Sequence, residues 1–148
     1  MVGAGGLGCP ILLYIASVGV GKIGIVDGDI VSESNLSRQV LFGLHDLGKN
    51  KAKVAAEILN KKYQDLEIEV IPEFLRTDNI IGYFQDYDLV IDGSDNFPTR
   101  YLVNDSCVIL NKPLVFGALY QNEGQVAVFN TNGSSSVNYR DIYPNPPL

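Results

Sequence analysis

Residues Gly3-Ala4-Gly5-Gly6-Leu7-Gly8 place glycines at the first, third and sixth positions of G-x-G-x-x-G, and an apolar run, residues 11–18, follows directly as a helix. A chain with this opening must turn sharply out of a strand and into a helix, which is how a βαβ unit begins. The same turn suits a phosphate. The backbone approaches a ligand closely where there is no Cβ, the first N–H groups of the helix lack intrahelical partners, and the helix dipole favours negative charge there. A strand-to-helix crossover that binds nothing would carry the same glycines, so the motif needs support from the rest of the chain. Only Met1 and Val2 precede Gly3, where a strand is expected, and the chain therefore reads as cut at its N-terminus.

The 148 residues amount to one domain, with 46% hydrophobic residues to build its core. A formal charge of −6 argues against nucleic acid as a partner, because phosphates must be neutralised by a basic surface. Apolar stretches are broken within a dozen residues by Gly, Lys or Asp, so no membrane span is expected. No secretory leader is visible, so a cytoplasmic address is the default expectation. Cys9 and Cys107 make neither a disulfide framework nor a four-ligand zinc site, and their apolar surroundings suit buried small side chains.

Periodicity supplies the remaining elements. A first helix over residues 9–18 has Pro10 in its first turn, where the missing N–H costs nothing. A strand over 22–27 ends on Asp27, about 20 residues after the glycines, where an acid can accept both ribose hydroxyls of a nucleotide or simply cap a turn. The loop over 30–42 interleaves Asn35, Arg38 and Gln39 with Leu36, Val40, Leu41 and Phe42, the pattern of a loop packed onto the domain. An arginine there can reach a polyphosphate with its forked donors. Residues 48–62 read as an amphipathic helix with Val54, Ala55, Ile58 and Leu59 on one face. Lys49 and Lys51 fall in its first turn, where cations oppose the dipole, a placement that hints at function. His45 has no evident partner and reads as structural or solvated.

Further on, residues 66–71 alternate as a half-exposed strand, 80–85 form a short helix, and 87–92 a buried strand running into Gly93-Ser94-Asp95-Asn96. Asp95 either caps the helix expected over 97–111 or serves as a magnesium carboxylate. That helix carries Arg100 and Asn104 one turn apart. Strands over 114–118 and 125–129 follow, the second antiparallel because the connection is too short for a helical crossover. Residues 131–148, rich in Ser, Asn and Pro, read as a loop or linker. The fold class is α/β, a Rossmann-like doubly wound, mostly parallel sheet with an antiparallel C-terminal strand. Residues 1–130 read as the domain that carries the glycine turn, and residues 131–148 as a segment leading on from it.

Gly-Ala-Gly-Gly-Leu-Gly-Cys, then Asp27, then Ser34-Asn35-Leu36-Ser37-Arg38-Gln39, then Gly48-Lys49-Asn50-Lys51, then Asp92-Gly93-Ser94-Asp95-Asn96 with Arg100, together resemble the ThiF/MoeB family from Gly3 to about Pro147. The family comprises bacterial relatives of ubiquitin-activating enzymes. The resemblance implies an adenylyltransferase that uses ATP to activate the C-terminal glycine of a ubiquitin-like sulfur carrier, similar to ThiS or MoaD, in thiamine or molybdopterin synthesis. It implies that Gly3, Gly5, Gly6 and Gly8 lie against the phosphates, that Asp27 holds the ribose, and that Asn35, Arg38 and Lys51 contact the triphosphate with Gln39 supporting the loop. Asp95 would hold Mg²⁺, and Arg38, Lys51 and Asp95 would be the catalytic set. A homodimer is also implied.

Three departures accompany the resemblance. Where many members carry a Cys-Tyr-Arg-Cys half of a structural zinc site, this chain has Asn138-Tyr139-Arg140-Asp141, so no structural zinc is expected. The N-terminal arginine of the family and the part beyond Leu148 that helps bind the carrier are not in the sequence, so the fragment need not be active by itself. Two other readings compete: a nicotinamide-dependent oxidoreductase, which Gly3 to Gly8 with Asp27 would equally support, and a non-catalytic paralogue acting as a binding or dimerisation module. A tRNA-modifying branch of the superfamily fits poorly with an acidic chain.

Overall fold

A computed structural model describes residues 1–131, 133 and 136–146. The chain divides into two compact units, Met1–Phe74 and Leu75–Leu148. Pro147, where the family resemblance was expected to end, and Asn132, Ser134, Ser135 and Leu148 of the expected linker lie outside the described residues.

In the first unit, helix α1 (Gly8–Ser17) leads to strand β1 (Lys22–Val26), helix α2 (Lys51–Lys62) and strand β2 (Glu67–Ile71). β1 and β2 pair in parallel from Lys22 opposite Glu67 to Val26 opposite Ile71. The two residues ahead of the glycine turn also pair: Val2 forms a parallel bridge with Val26, and the Val26 N–H donates to the Met1 carbonyl at 3.0 Å. α1 starts immediately behind the glycines, with the Cys9 N–H bonded to the Gly5 carbonyl at 2.9 Å. Its buried face, Cys9, Leu12 and Ala16, packs with Ile23 and Ile25 of β1 and with Val54, Ala55 and Leu59 of α2 in one apolar core. Val31, Leu41 and Phe42 join that core, so the loop after β1 is packed down as its interleaved sequence requires.

α2 begins at Lys51, three residues later than periodicity alone placed it. The Asn50 side chain accepts the Lys53 N–H and caps the helix, while Gly48, at a φ of 79°, ends the preceding turn. Lys49 therefore lies outside the helix.

In the second unit, strand β3 (Val90–Asp92) pairs in parallel with β4 (Leu114–Tyr120), and β5 (Glu123–Phe129) returns antiparallel to β4, with Leu114 opposite Phe129. Gln121, at a φ of 51°, makes the tight connection. Helices α3 (Ile80–Phe84) and α4 (Phe97–Ile109) complete the alternation, and Asn111, at a φ of 51°, turns the chain out of α4. Parallel pairing in both units with an antiparallel last strand agrees with the α/β class read from the sequence.

The segment read as loop or linker contains one helical turn, α5 (Tyr139–Ile142). Asn138 and Asp141 make its capping box, with Asp141 Oδ2 accepting the Asn138 N–H at 2.8 Å. Tyr139 is buried among Phe116, Phe129 and Tyr101. The fully buried Asn104 accepts the Tyr139 N–H at 2.8 Å, and Arg140 makes two bonds of 2.7 Å to Asp105. Polar composition suggested a linker, but one aromatic side chain and a pair of α4 polar groups suffice to dock it. Among the described residues, no helix is long and apolar enough to cross a membrane.

Candidate functional site

The glycine turn is shaped by contacts that only glycine permits. Gly3 has a φ of 84° and donates its N–H to the Val26 carbonyl at 2.9 Å. A Cβ on Gly8 would stand 2.0 Å from the Gly3 carbonyl oxygen. Gly5 and Gly6 face the loop instead. Cβ atoms there would meet Gln39 Nε2 and the Arg38 stem, each at 3.6 Å. Arg38 and Gln39 thus lie directly against the turn.

Asp27 joins the turn to the end of β1. One carboxylate oxygen accepts the Ala4 N–H at 2.7 Å and the other the Asp29 N–H at 2.8 Å. Burial pushes the Asp27 carboxyl up, against the pull of those two N–H groups and of the Lys51 charge. Each carboxylate oxygen offers two lone pairs, so Asp27 keeps acceptor capacity for hydroxyl donors.

Arg38 is exposed and steadied by a 3.3 Å bond from Nη1 to the Ser34 carbonyl, whereas Gln39 is buried and its Oε1 has no hydrogen-bond partner among the described residues. Asn35 serves the loop through its backbone, its carbonyl accepting the N–H groups of Arg38 and Gln39. Lys51, at the head of α2, is buried, with Nζ 3.2 Å from Asp29 Oδ2. Its charge acts on both Asp27 and Cys9. Gly3, Gly5, Gly6, Gly8, Asp27, Asn35, Arg38, Gln39 and Lys51 are thereby drawn together within the first unit.

Asp95 belongs to the second unit. It is exposed in the β3–α4 connection, and it is not the helix cap: Asn96 accepts the Thr99 N–H at 3.0 Å and does that work. The capping alternative for Asp95 is therefore corrected. The connection is fixed from both sides, by Asp92 Oδ1 accepting the Ser94 N–H at 2.9 Å and by Arg100 Nη2 donating to the Ser94 carbonyl at 3.2 Å. Asp92 is 1% exposed, and burial pushes its carboxyl up against the Ser94 N–H and the Arg100 charge.

Three acid–base contacts were not read from the sequence. Asp29 holds Lys51, Asp46 takes Lys49 at 3.1 Å, and Asp46 also takes His45, at 3.3 Å, so His45 does have a partner. The available signal was the misplaced charge of Lys49 and Lys51 near a helix start with Asp27-Gly28-Asp29 and Asp46 upstream.

The arrangement in the first unit would suit a polyanion: a helix N-terminus behind a glycine turn, flanked by a guanidinium and a buried ammonium, with an acid able to take hydroxyl donors. The model of the ThiF family matches residues 1–148. A sulfur carrier protein adenylyltransferase of Thermus thermophilus is 50% identical over 150 residues, which cover 99% of this chain and 55% of that protein. MoeZ of Mycobacterium tuberculosis, named a probable adenylyltransferase/sulfurtransferase, is 48% identical, with 99% of this chain and 38% of that protein covered. The chain spans about half the length of the first relative and less of the second. The crystal structure of selenomethionine PaaA superposes with a TM-score of 0.81 at 22% identity, over 95% of this chain and 43% of PaaA, a likeness of fold.

Proposed function

The chain belongs to the ThiF family, and from that premise we propose that it is the nucleotide-binding part of an ATP-dependent adenylyltransferase acting on the C-terminal glycine carboxylate of a ubiquitin-like sulfur carrier. The observation that carries this reading is the placement of Arg38 and Lys51 with Asp27 around the glycine turn at the head of α1. A triphosphate needs more positive charge than one helix terminus provides, and this site has two further cations in a chain whose net charge is −6. A dinucleotide has only a pyrophosphate, so an oxidoreductase reading gives these two cations less to do.

In the proposed reaction a carboxylate oxygen of the carrier attacks the α-phosphorus of ATP. The bond from that phosphorus to the bridging oxygen breaks, pyrophosphate leaves with the electron pair, and an acyl-adenylate forms. The nucleophile is already ionised and the leaving group is a stable anion, so no proton needs to be moved. The burden is electrostatic: Arg38, Lys51 and the turn N–H groups offset charge on the phosphates while Asp27 orients the ribose. Mg²⁺ suits the Asp95 carboxylate, which is exposed and not engaged in capping, because this ion binds through one or two carboxylates plus substrate phosphates. It would add neutralising charge there. The same reading makes residues 1–130 the ATP-binding domain, with residues 131–148 leading into the rest of the protein. It takes the carrier to be ThiS- or MoaD-like, serving thiamine or molybdopterin synthesis, and the full-length protein to be a cytoplasmic homodimer.

The test is ATP–pyrophosphate exchange by the full-length protein with carriers ending in Gly-Gly. Carrier-dependent exchange is expected; its absence with every such carrier would sink the reading.

A further inference from the structure

We propose that Asp29 is the positioning residue for Lys51, holding its ammonium in place for phosphate by a contact separate from those that fasten the surrounding backbone. The inference rests on the functional reading above only for the identity of the phosphate ligand. The segment around Asp29 is already secured without its carboxylate. The Lys51 N–H donates to the Asp29 carbonyl at 2.9 Å, Asn50 Nδ2 donates to the carbonyls of Asp27 and Asp29 at 2.9 and 3.2 Å, and Ile30 bridges Asn50. The Asp29 side chain contributes something else, the 3.2 Å contact with Lys51 Nζ.

Lys51 needs such a contact more than any ordinary lysine. Its side chain is 7% exposed, and it stands at the first residue of a helix, facing the positive end of the dipole. Burial and dipole both act against the cation, and the flexible four-carbon stem would otherwise take it elsewhere. Asp29, 57% exposed, bears little of the desolvation itself. An ammonium has three N–H donors, so one bond to Asp29 leaves two for phosphate oxygens. The chain from Ala4 N–H to Asp27, from Asp29 N–H to Asp27, and from Lys51 to Asp29 ties the cation to the glycine turn.

Two readouts on the full-length protein test this. The first is acylation of lysine amines followed by mass spectrometry, comparing Lys51 with the exposed Lys53 two residues away. Asp29→Ala is expected to raise Lys51 labelling about fivefold relative to Lys53 by freeing a protected amine; an unchanged ratio overturns the proposal whatever the protein's activity. The second is pyrophosphate exchange with a Gly-Gly carrier. Asp29→Ala should lower kcat about tenfold with a smaller change in KM for MgATP, and Asp29→Asn, which keeps an oxygen acceptor, should recover most of the loss. In a Lys51→Ala background Asp29→Ala should change the rate by less than about twofold, since the partner is already gone. Equal losses in both backgrounds, or faster exchange in Asp29→Asn, would make Asp29 a structural residue or a competing counterion and overturn the inference. Absence of exchange in the wild type, with labelling still responsive to Asp29→Ala, would remove the functional reading and leave the hold on Lys51 standing.

Discussion

Gly8→Ala tests the geometry of the turn without reference to any ligand. The new methyl carbon would lie 2.0 Å from the Gly3 carbonyl oxygen and 2.8 Å from its carbon, and both obstacles are backbone. Gly3 has little room to retreat, because its N–H is committed to Val26 and its φ of 84° is one few other residues adopt. Moving Gly8 instead would drag the first turn of α1, whose Cys9 and Leu12 are fully buried. Overpacking a core costs about 1–3 kcal/mol where side chains can yield. Here only main chain can yield, so the cost should reach ~3 kcal/mol, a large part of a total stability of roughly 5–15 kcal/mol. For a chain of this size that is a fall in Tm of about 10 °C. Urea unfolding should show a lower midpoint at unchanged slope, the sign of lost stability with an unchanged unfolded state. Gly6→Ala is the control. Its methyl would meet only the Arg38 stem, at 3.6 Å, so stability should change by less than ~1 kcal/mol while nucleotide affinity falls. A Gly8→Ala unfolding free energy within ~0.5 kcal/mol of wild type, inside the usual range for surface substitutions, would refute the argument.

Asp95→Ala should abolish pyrophosphate exchange while leaving Tm unchanged, whereas Asn96→Ala should cost ~1 kcal/mol of stability as a lost cap; an active Asp95→Ala protein would remove Asp95 from the site. The bidentate bond from Arg140 holds the Asp105 carboxyl below its usual range. A depressed folded pKa gives stability that is present above the unfolded carboxylate value of about 3.9 and is lost as pH falls through the folded value. Asp105→Asn should therefore destabilise by no more than ~1 kcal/mol near neutrality, since the pair is partly exposed, and the difference should vanish in strong acid. Burial, reinforced by the nearby Asp92 charge, pushes the Cys107 thiol up to about 12. Alkylation of Cys107 at about pH 8 should proceed only on unfolding, because the thiolate is the reactive form; rapid modification of the native protein would contradict that burial.

Much of this was legible in the sequence because it is written in local terms. Glycine spacing announced the turn, and the apolar positions of residues 54, 55, 58 and 59 announced α2. Interleaving of Leu36, Val40, Leu41 and Phe42 with Asn35, Arg38 and Gln39 announced a packed loop; the core holds Leu41 and Phe42 with Leu36 packed against it, whereas Val40 is exposed. What could not be read was set by partners far along the chain. Tyr139 is buried because residues from α4, β4 and β5 meet it, and no window around residue 139 contains that information. Asn96 rather than Asp95 caps α4 because a cap is fixed by which residue first leaves helical dihedrals, and both side chains are competent acceptors. Contacts between Asp29 and Lys51 span 22 positions, beyond the reach of periodicity.

The lysines show how the two kinds of information combine. Cations at the start of a helix are unfavourable by the dipole alone, by ~0.3–1 kcal/mol each, so their presence in the sequence posed a question. Their pairing answers it differently for each. Lys49 lies before the helix, half exposed, on the buried Asp46, whose carboxylate also takes the Gly43 N–H at 3.1 Å; there the acid is the buried member and the lysine completes a turn. Lys51 reverses the arrangement, with the cation buried and the acid exposed. Burying an ammonium against an exposed acid gains little stability, since breaking even with its desolvation already demands excellent geometry. A pair built that way is poorly explained as a staple and well explained as a held charge, which is why Lys51 and not Lys49 is the residue we propose for the phosphates.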